Sequence, residues 1–423
     1  MIKRIKISNY KSINNIDVGL GRLNIIIGEN GCGKSNFLEA ISLAGAASSE
    51  KLDNEFLANR GIRVTPPNLM RSNFEEKSSL EPIEISITQS ENDSSIDFKI
   101  SNDNKPYSNW TSEISDTRLL KLSESFSNEF SIDVLNNILD KMKSNSKIKK
   151  GSLLNKSEMK DDIKDYIITT LSKEMLRKIS EHKTSLPDDR YKVSIKLKMD
   201  SEYEFSKFMI YSPENSALRN FHKEGQVEPL GINGEGLLKL LQVINKSSSE
   251  ASDDIISSLK LFGWFNGFKI PTDFCETNDN LIIEDKYTKL AFDQRSANEG
   301  FLFVLFYVSL IVSPDTPRIF AIDNIDTSLN PKLCIALIKQ LNVLAKKYNK
   351  QIFATTHNPA VLDGLDLNDK EQCLFVFNRN KLGHTKIKQI TAENRPISSA
   401  TKDYLNLSDS MMRGYLKSLP TNF

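Results

Sequence analysis

Eight residues constrain this chain more than any others: Gly28-Glu29-Asn30-Gly31-Cys32-Gly33-Lys34-Ser35. They sit between the apolar stretch Leu23-Asn24-Ile25-Ile26-Ile27 and a helical pattern of Phe37, Leu38, Ile41 and Leu43. The run matches G-x-x-x-x-G-K-[ST] in full, in the strand–loop–helix context that the motif requires. Glycines let successive backbone N–H groups turn inward around an anion, and the following helix presents its positive end there. The pattern implies a nucleoside triphosphate and an α/β fold of the P-loop kind. Asn30, Gly31, Cys32, Gly33, Lys34, Ser35 and Asn36 would line the phosphates, Lys34 reaching the β- and γ-phosphates and Ser35 holding Mg²⁺.

Arg318-Ile319-Phe320-Ala321-Ile322-Asp323 is an apolar strand ending in an acid, the Walker B pattern. Asp323 would complete the Mg²⁺ site opposite Ser35. About 30 residues on, a second apolar strand, Gln351 to Thr355, leads into Thr356-His357-Asn358-Pro359, and His357 is placed to sense a γ-phosphate. A helix from about 331 to 348 joins the two strands, which are read as the last strands of the chain. Ser296-Ala297-Asn298-Glu299-Gly300 precedes the apolar run Phe301 to Val312. It reads as a capping box, with Ser296 as N-cap and Glu299 three residues on, or as a signature segment offering a helix start to a phosphate on a partner subunit. A capped helix start serves both.

The remaining organisation follows from periodicity. Ile2, Ile5 and Ile7 alternate with lysines as a strand, Ile16, Val18 and Leu20 repeat the pattern, and residues 83–100 hold two more alternating strands. Residues 1–105 form an N-terminal lobe, 106–190 a mostly helical insert rich in Ser, Asn, Lys and Asp, and 191–423 a C-terminal lobe.

Asn9-Tyr10-Lys11-Ser12, the loop Gly28 to Ser35, Ser296 to Gly300, Asp323, Ser328 to Pro331 and Thr355 to Pro359 together resemble the ABC-type ATPase heads of the RecF, SMC and OLD class. The chain is most similar there to stand-alone ATPase subunits of prokaryotic anti-phage systems, such as PtuA of Septu or AriA of PARIS. The resemblance covers about residues 1–50 and 205–423. It implies an ABC-type head with a mixed sheet, an antiparallel lobe and an inserted helical arm. It implies ATP held with Mg²⁺ between two heads, Lys34 of one facing Ser296, Asn298, Glu299 and Gly300 of the other. Lys11 occupies the position of a basic residue that contacts the nucleotide in some relatives, a solvated surface lysine being the other open reading. Most members carry Glu after the Walker B acid; here it is Asn324, whose amide can orient a water but cannot take its proton. Asp326 is the substitute two residues on, and slow hydrolysis is the expectation.

What the chain lacks narrows the reading. After His357 only 66 residues remain, too few for a Toprim nuclease as well as closing strands, so a separate effector, a nuclease first, is expected. The rival expectation is a DNA repair ATPase of the RecF kind. With 56 Lys+Arg against 55 Asp+Glu, net charge draws no polyanion globally. Locally, seven lysines between Lys141 and Lys160 face one acid, Glu158; a solvated face and a nucleic-acid contact are both open readings. Arg60 and Arg63 form a weaker basic cluster. Phe301 to Val312 is too short to cross a bilayer, no signal peptide leads the chain, and four scattered cysteines read as reduced thiols in a cytoplasmic protein.

Overall fold

A computed structural model describes residues 1–89, 95–105, 108–117, 203–220, 229–271, 280–397 and 404–416. In chain order the strands are β1 (Arg4–Tyr10), β2 (Ile13–Gly19), β3 (Leu23–Gly28), β4 (Ile83–Thr88), β5 (Ser95–Ser101), β6 (Thr111–Asp116) and β7 (Ile210–Tyr211). They continue with β8 (Phe265–Lys269), β9 (Ile282–Asp285), β10 (Phe292–Asp293), β11 (Ile319–Ile322), β12 (Gln351–Thr355), β13 (Gln372–Arg379) and β14 (Thr385–Ile390).

The P-loop strand lies inside a six-stranded sheet of order β14-β13-β3-β12-β11-β7. β3 runs parallel to both neighbours, β13 and β12, and β11 continues parallel to β12 and β7; only β14 turns back antiparallel. All six residues of β3 are buried, as a strand covered on both faces must be. A second sheet, β2-β1-β4-β5-β6, shows the alternation of a one-sided strand: β1 and β4 bury every second residue. A small antiparallel sheet, β10-β9-β8, completes the set.

Two helices organise the core. Lys34–Ser48 follows the P-loop and is buried from Phe37 through Ala47. Glu299–Val312 is buried along its whole length after Glu299, so it is covered on all sides, by Asn215–Arg219, Leu237–Ser247, Ser249–Leu259 and Pro331–Lys347. Contacts divide the chain into two compact units. The larger holds Met1–Asp93, Asp97–Ile114 and Tyr203–Phe423; the smaller holds Ser94–Ile96 and Ser115–Glu202. Most of the expected helical insert, with Lys141 to Lys160, falls outside the described residues, and its start at 111–116 is strand β6.

Three expectations are corrected. The strands at 319–322 and 351–355 are not the last, because β13 and β14 follow and place β3 in the sheet interior. The helix carrying the signature segment starts at Glu299, and its N-cap is Asn298, whose side chain accepts from the Phe301 amide at 3.3 Å. Ser296 lies in the preceding turn, its own amide bonded to Asp293 O at 3.0 Å, so the capping box does not form. Arg60 is not a surface cation: it is buried and donates to the carbonyls of Ser206 and Phe208 at 2.6 and 3.0 Å.

Candidate functional site

Three adjacent parallel strands, β3, β12 and β11, end on the same edge, the carboxyl edge where open α/β sheets gather their ligands. Each delivers one part of the site. From β3 comes the loop Gly28 to Ser35. Its turns need positive φ at Gly28 (151°), Gly31 (75°) and Gly33 (109°), which glycine alone adopts freely. A side chain at Gly33 would also meet Thr385 Oγ1 at 2.2 Å and Ser12 Oγ at 2.9 Å.

For the loop's N–H groups to face an anion, its carbonyls must face elsewhere and find donors. Lys34 Nζ supplies two, to Gly28 O at 2.9 Å and Glu29 O at 3.0 Å. Arg379 Nε donates to Gly31 O at 2.8 Å, Thr385 Oγ1 donates to Cys32 O at 2.8 Å, and Phe37 N donates to Gly33 O at 3.0 Å. Lys34 is buried, and desolvation pulls its pKa below the usual lysine value.

β11 and β12 deliver the acids and their braces. Thr355, the last residue of β12, and Thr356, just after it, take one carboxylate each. Thr355 Oγ1 donates to Asp323 and accepts from the Asn324 amide at 2.9 Å. Thr356 Oγ1 donates to Asp326 Oδ1 at 2.6 Å and accepts from the Asn358 amide at 3.0 Å. Asn324 is exposed and left-handed, with φ 52°, a conformation that asparagine tolerates better than most side chains. His357 is exposed, yet partial desolvation and then Lys34 lower its pKa from the usual imidazole value, against the pull of Asp326 and Asp323.

The signature segment meets the Ser328 to Pro331 loop within one chain. A Cβ on Gly300 would lie 2.8 Å from Ser328 O and 3.0 Å from Leu329 Cδ2, so only glycine lets the helix start approach so closely. Ser296 and Asn298 are exposed, and Glu299 is half-buried. Arg219 fixes the turn before the helix, donating to Ala297 O at 2.8 Å and to Arg295 O.

Lys11 lies on the other side of the P-loop helix. A carboxylate buried in that helix, Glu39, accepts from Lys11 Nζ at 2.5 Å, Arg63 Nε at 2.6 Å and Tyr10 OH at 3.2 Å. Asn36 joins this network, accepting from Arg63 Nη2 at 3.0 Å and donating to Ser12 Oγ at 2.7 Å. A cleft of about 440 Å³ opens here, lined among others by Lys11, Ser12, Asn36, Arg63, Phe74 and Arg379.

The strand ends thus bring together the P-loop, Asp323, Asp326 and His357. Glu39, Arg379 and Thr385 were not foreseen. Glu39 carried a signal, being the one charged residue between Phe37 and Ala47; the other two carried none, because their partners lie about 350 residues away.

The chain matches one family model over residues 23–363, that of "AAA domain, putative AbiEii toxin, Type IV TA system" (AAA_21). No curated protein matches. Among solved structures, the chain is similar to an SMC head bound to the C-winged helix domain of ScpA. That likeness has a TM-score of 0.52 at 12% identity and covers 93% of this chain and 98% of that one. An SMC head domain from Thermotoga maritima gives 0.41 at 13% identity, covering 92% and 99%. An SMC head with an extended coiled coil, bound to the C-terminal domain of ScpA derived from Pyrococcus furiosus, gives 0.46 at 13%, covering 93% and 96%. The shared feature is the fold, a mixed α/β P-loop head. No described helix is long and apolar enough to cross a membrane.

Proposed function

The chain belongs to the AAA_21 family of AAA domains, and from that premise we propose that it is an ATPase head which closes in pairs on ATP and gates a separate effector in anti-phage defence. The observation that carries the reading is the common edge of β3, β12 and β11, where an anchored P-loop meets two braced carboxylates and a histidine. Triphosphate would lie on the N–H groups between Asn30 and Asn36, that of Cys32 apart, which donates to Glu29 O at 3.4 Å, with the cleft beside Lys11 and Asn36 open to the nucleoside.

Ser35 and Asp323 are the protein donors for Mg²⁺. The donor set fits: this ion keeps waters and substrate phosphates and needs only one or two protein oxygens. Among the described residues no cluster of three or more His, Cys, Asp or Glu gathers into an all-protein cage. When bound, Mg²⁺ would supply neutralisation of the triphosphate's charge. Asn324 orients the attacking water without accepting its proton. Asp326, with one oxygen held by Thr356, is the next carboxylate along the chain after the Mg²⁺ donor Asp323, and its displacement from the Walker B end keeps turnover slow. His357 acts as the neutral imidazole, because its pKa lies below the usual value. In kcat/KM, which reports the free enzyme, activity should therefore fall only on the acid side of the ordinary imidazole range, as His357 gains a proton. A pH–rate profile of wild type against His357→Gln checks this; an acid limb that survives in the variant belongs to another group.

Pairing is supported by the exposure of Ser296 and Asn298 beside the Ser328 loop, a surface suited to a phosphate carried by a second copy. Light scattering should show the mass doubling with ATP in wild type and staying monomeric in Ser296→Arg. An unchanged wild-type mass would remove the paired switch. The second reading, a DNA repair ATPase, draws on Arg379, Lys381, Lys386 and Lys388, all exposed in a stretch without an acid from 372 to 392. Stimulation of turnover by DNA alone would select it, whereas co-purification with a nuclease selects the defence reading.

A further inference from the structure

We infer that the β13–β14 hairpin is the latch that shapes the P-loop, with Thr385 and Arg379 as its positioning residues. The hairpin lies outside the stretch that the family model matches, and it meets the loop at four of its eight residues. Phe377 O sits where a Cβ on Gly28 would lie, 2.3 Å away. Arg379 Nε holds Gly31 O at 2.8 Å, Thr385 Oγ1 holds Cys32 O at 2.8 Å, and Thr385 also fills the space above Gly33.

The chemistry of an anion cradle explains the arrangement. Peptide units are planar, so turning an N–H toward the phosphates turns the carbonyl bonded to the same nitrogen the other way. The Cys32 carbonyl, bonded to Gly33 N, is turned outward in this way; the Gly31 carbonyl belongs to a peptide whose N–H donates to Glu29 O at 3.4 Å instead, and both carbonyls find their donors in the hairpin. Arg379 and Thr385 are those donors. Thr385 is itself fixed on the first hairpin: its amide donates to Ser12 O at 2.8 Å, and its hydroxyl shares a 2.7 Å bond with Ser12 Oγ, which accepts from Asn36. Cradle, hairpin and helix start therefore form one hydrogen-bonded unit.

Cys32 reports on the latch directly. Its thiol is buried inside the loop, and burial raises its pKa, so a thiol reagent reaches it slowly. Thr385→Val keeps the side-chain volume and deletes the donor. The inference rests on ATP binding at this loop, and the experiment separates the two. ATP affinity is measured alongside the modification rate of each cysteine, resolved by peptide mass, for wild type, Thr385→Val, Thr385→Ser and Arg379→Ala. Thr385→Val should bind ATP about tenfold more weakly, the loss of one hydrogen bond to a loop that must stay rigid. Its Cys32 should react at least about tenfold faster while Cys334, buried in the helix Pro331–Lys347, and Cys373, buried at the end of β13 away from the loop, stay protected, as befits local opening alone. Thr385→Ser should restore both, and Arg379→Ala should show the same pattern more weakly. Wild-type affinity with Cys32 still protected in Thr385→Val would overturn the latch, as would all three thiols opening together. Failure of wild type to bind ATP would instead overturn the nucleotide reading.

Discussion

Lys34→Ala should lower ATP affinity by about a hundredfold or more, with the fold retained. Two losses combine. On the proposed reading the ammonium meets the β- and γ-phosphates, and a hydrogen bond to a charged group is worth about 1.5–3 kcal/mol, with 1.4 kcal/mol making a factor of ten. The same ammonium also donates to the carbonyls of Gly28 and Glu29, so alanine relaxes the entry of the loop as well. Lys34→Arg would keep the charge but not the fit, because a planar guanidinium cannot follow a compact ammonium into a buried turn. Calorimetric titration with ATP checks the expectation. Binding within threefold of wild type in Lys34→Ala would mean that the nucleotide site lies elsewhere.

The second large effect concerns Asn324. Asn324→Glu should raise turnover at least about tenfold, since a positioned general base contributes about 10²–10⁴-fold. The structure attaches a cost. Residue 324 is left-handed at φ 52°, and a glutamate there gives up about 1 kcal/mol relative to a residue that accepts this conformation. The variant is thus expected to be faster and slightly less stable, which thermal unfolding measured beside steady-state turnover will show. Asp326→Asn is the reciprocal experiment and should remove the residual rate. If Asn324→Glu is no faster and Asp326→Asn still hydrolyses, the water is activated from neither position.

Legibility in the sequence followed the range of the interactions. The phosphate loop announces itself because its work requires a local backbone path that few residue combinations allow, and Asp323 and His357 follow because strand ends are marked by apolar runs. The helix start at 299 was misplaced because Ser296 and Asn298 are both good caps two residues apart, and only Asn298 has its side chain at the Phe301 amide. Glu39 could not be read as a buried ion-pair centre, since Lys11 and Arg63 are neighbours only after β1 and the segment after the P-loop helix converge on it. The β13–β14 hairpin was missed for a related reason. Its first strand, Gln372 to Phe377, is a plain buried run, and nothing local says that it must lie beside β3.

That last adjacency also sets a timetable. Thr385 is 353 residues from the carbonyl that it holds, so a ribosome must add that many residues after Cys32 before the loop at Gly28 to Ser35 gains this donor. At about 5–20 residues per second, the interval is roughly 20–70 s. Throughout it β3 lacks its β13 neighbour and the nascent chain has no finished cradle for ATP. If the hairpin completes the cradle as inferred, nucleotide can stabilise only a molecule synthesised through β14, and a product ending before it would lack the stabilisation that ligand binding confers.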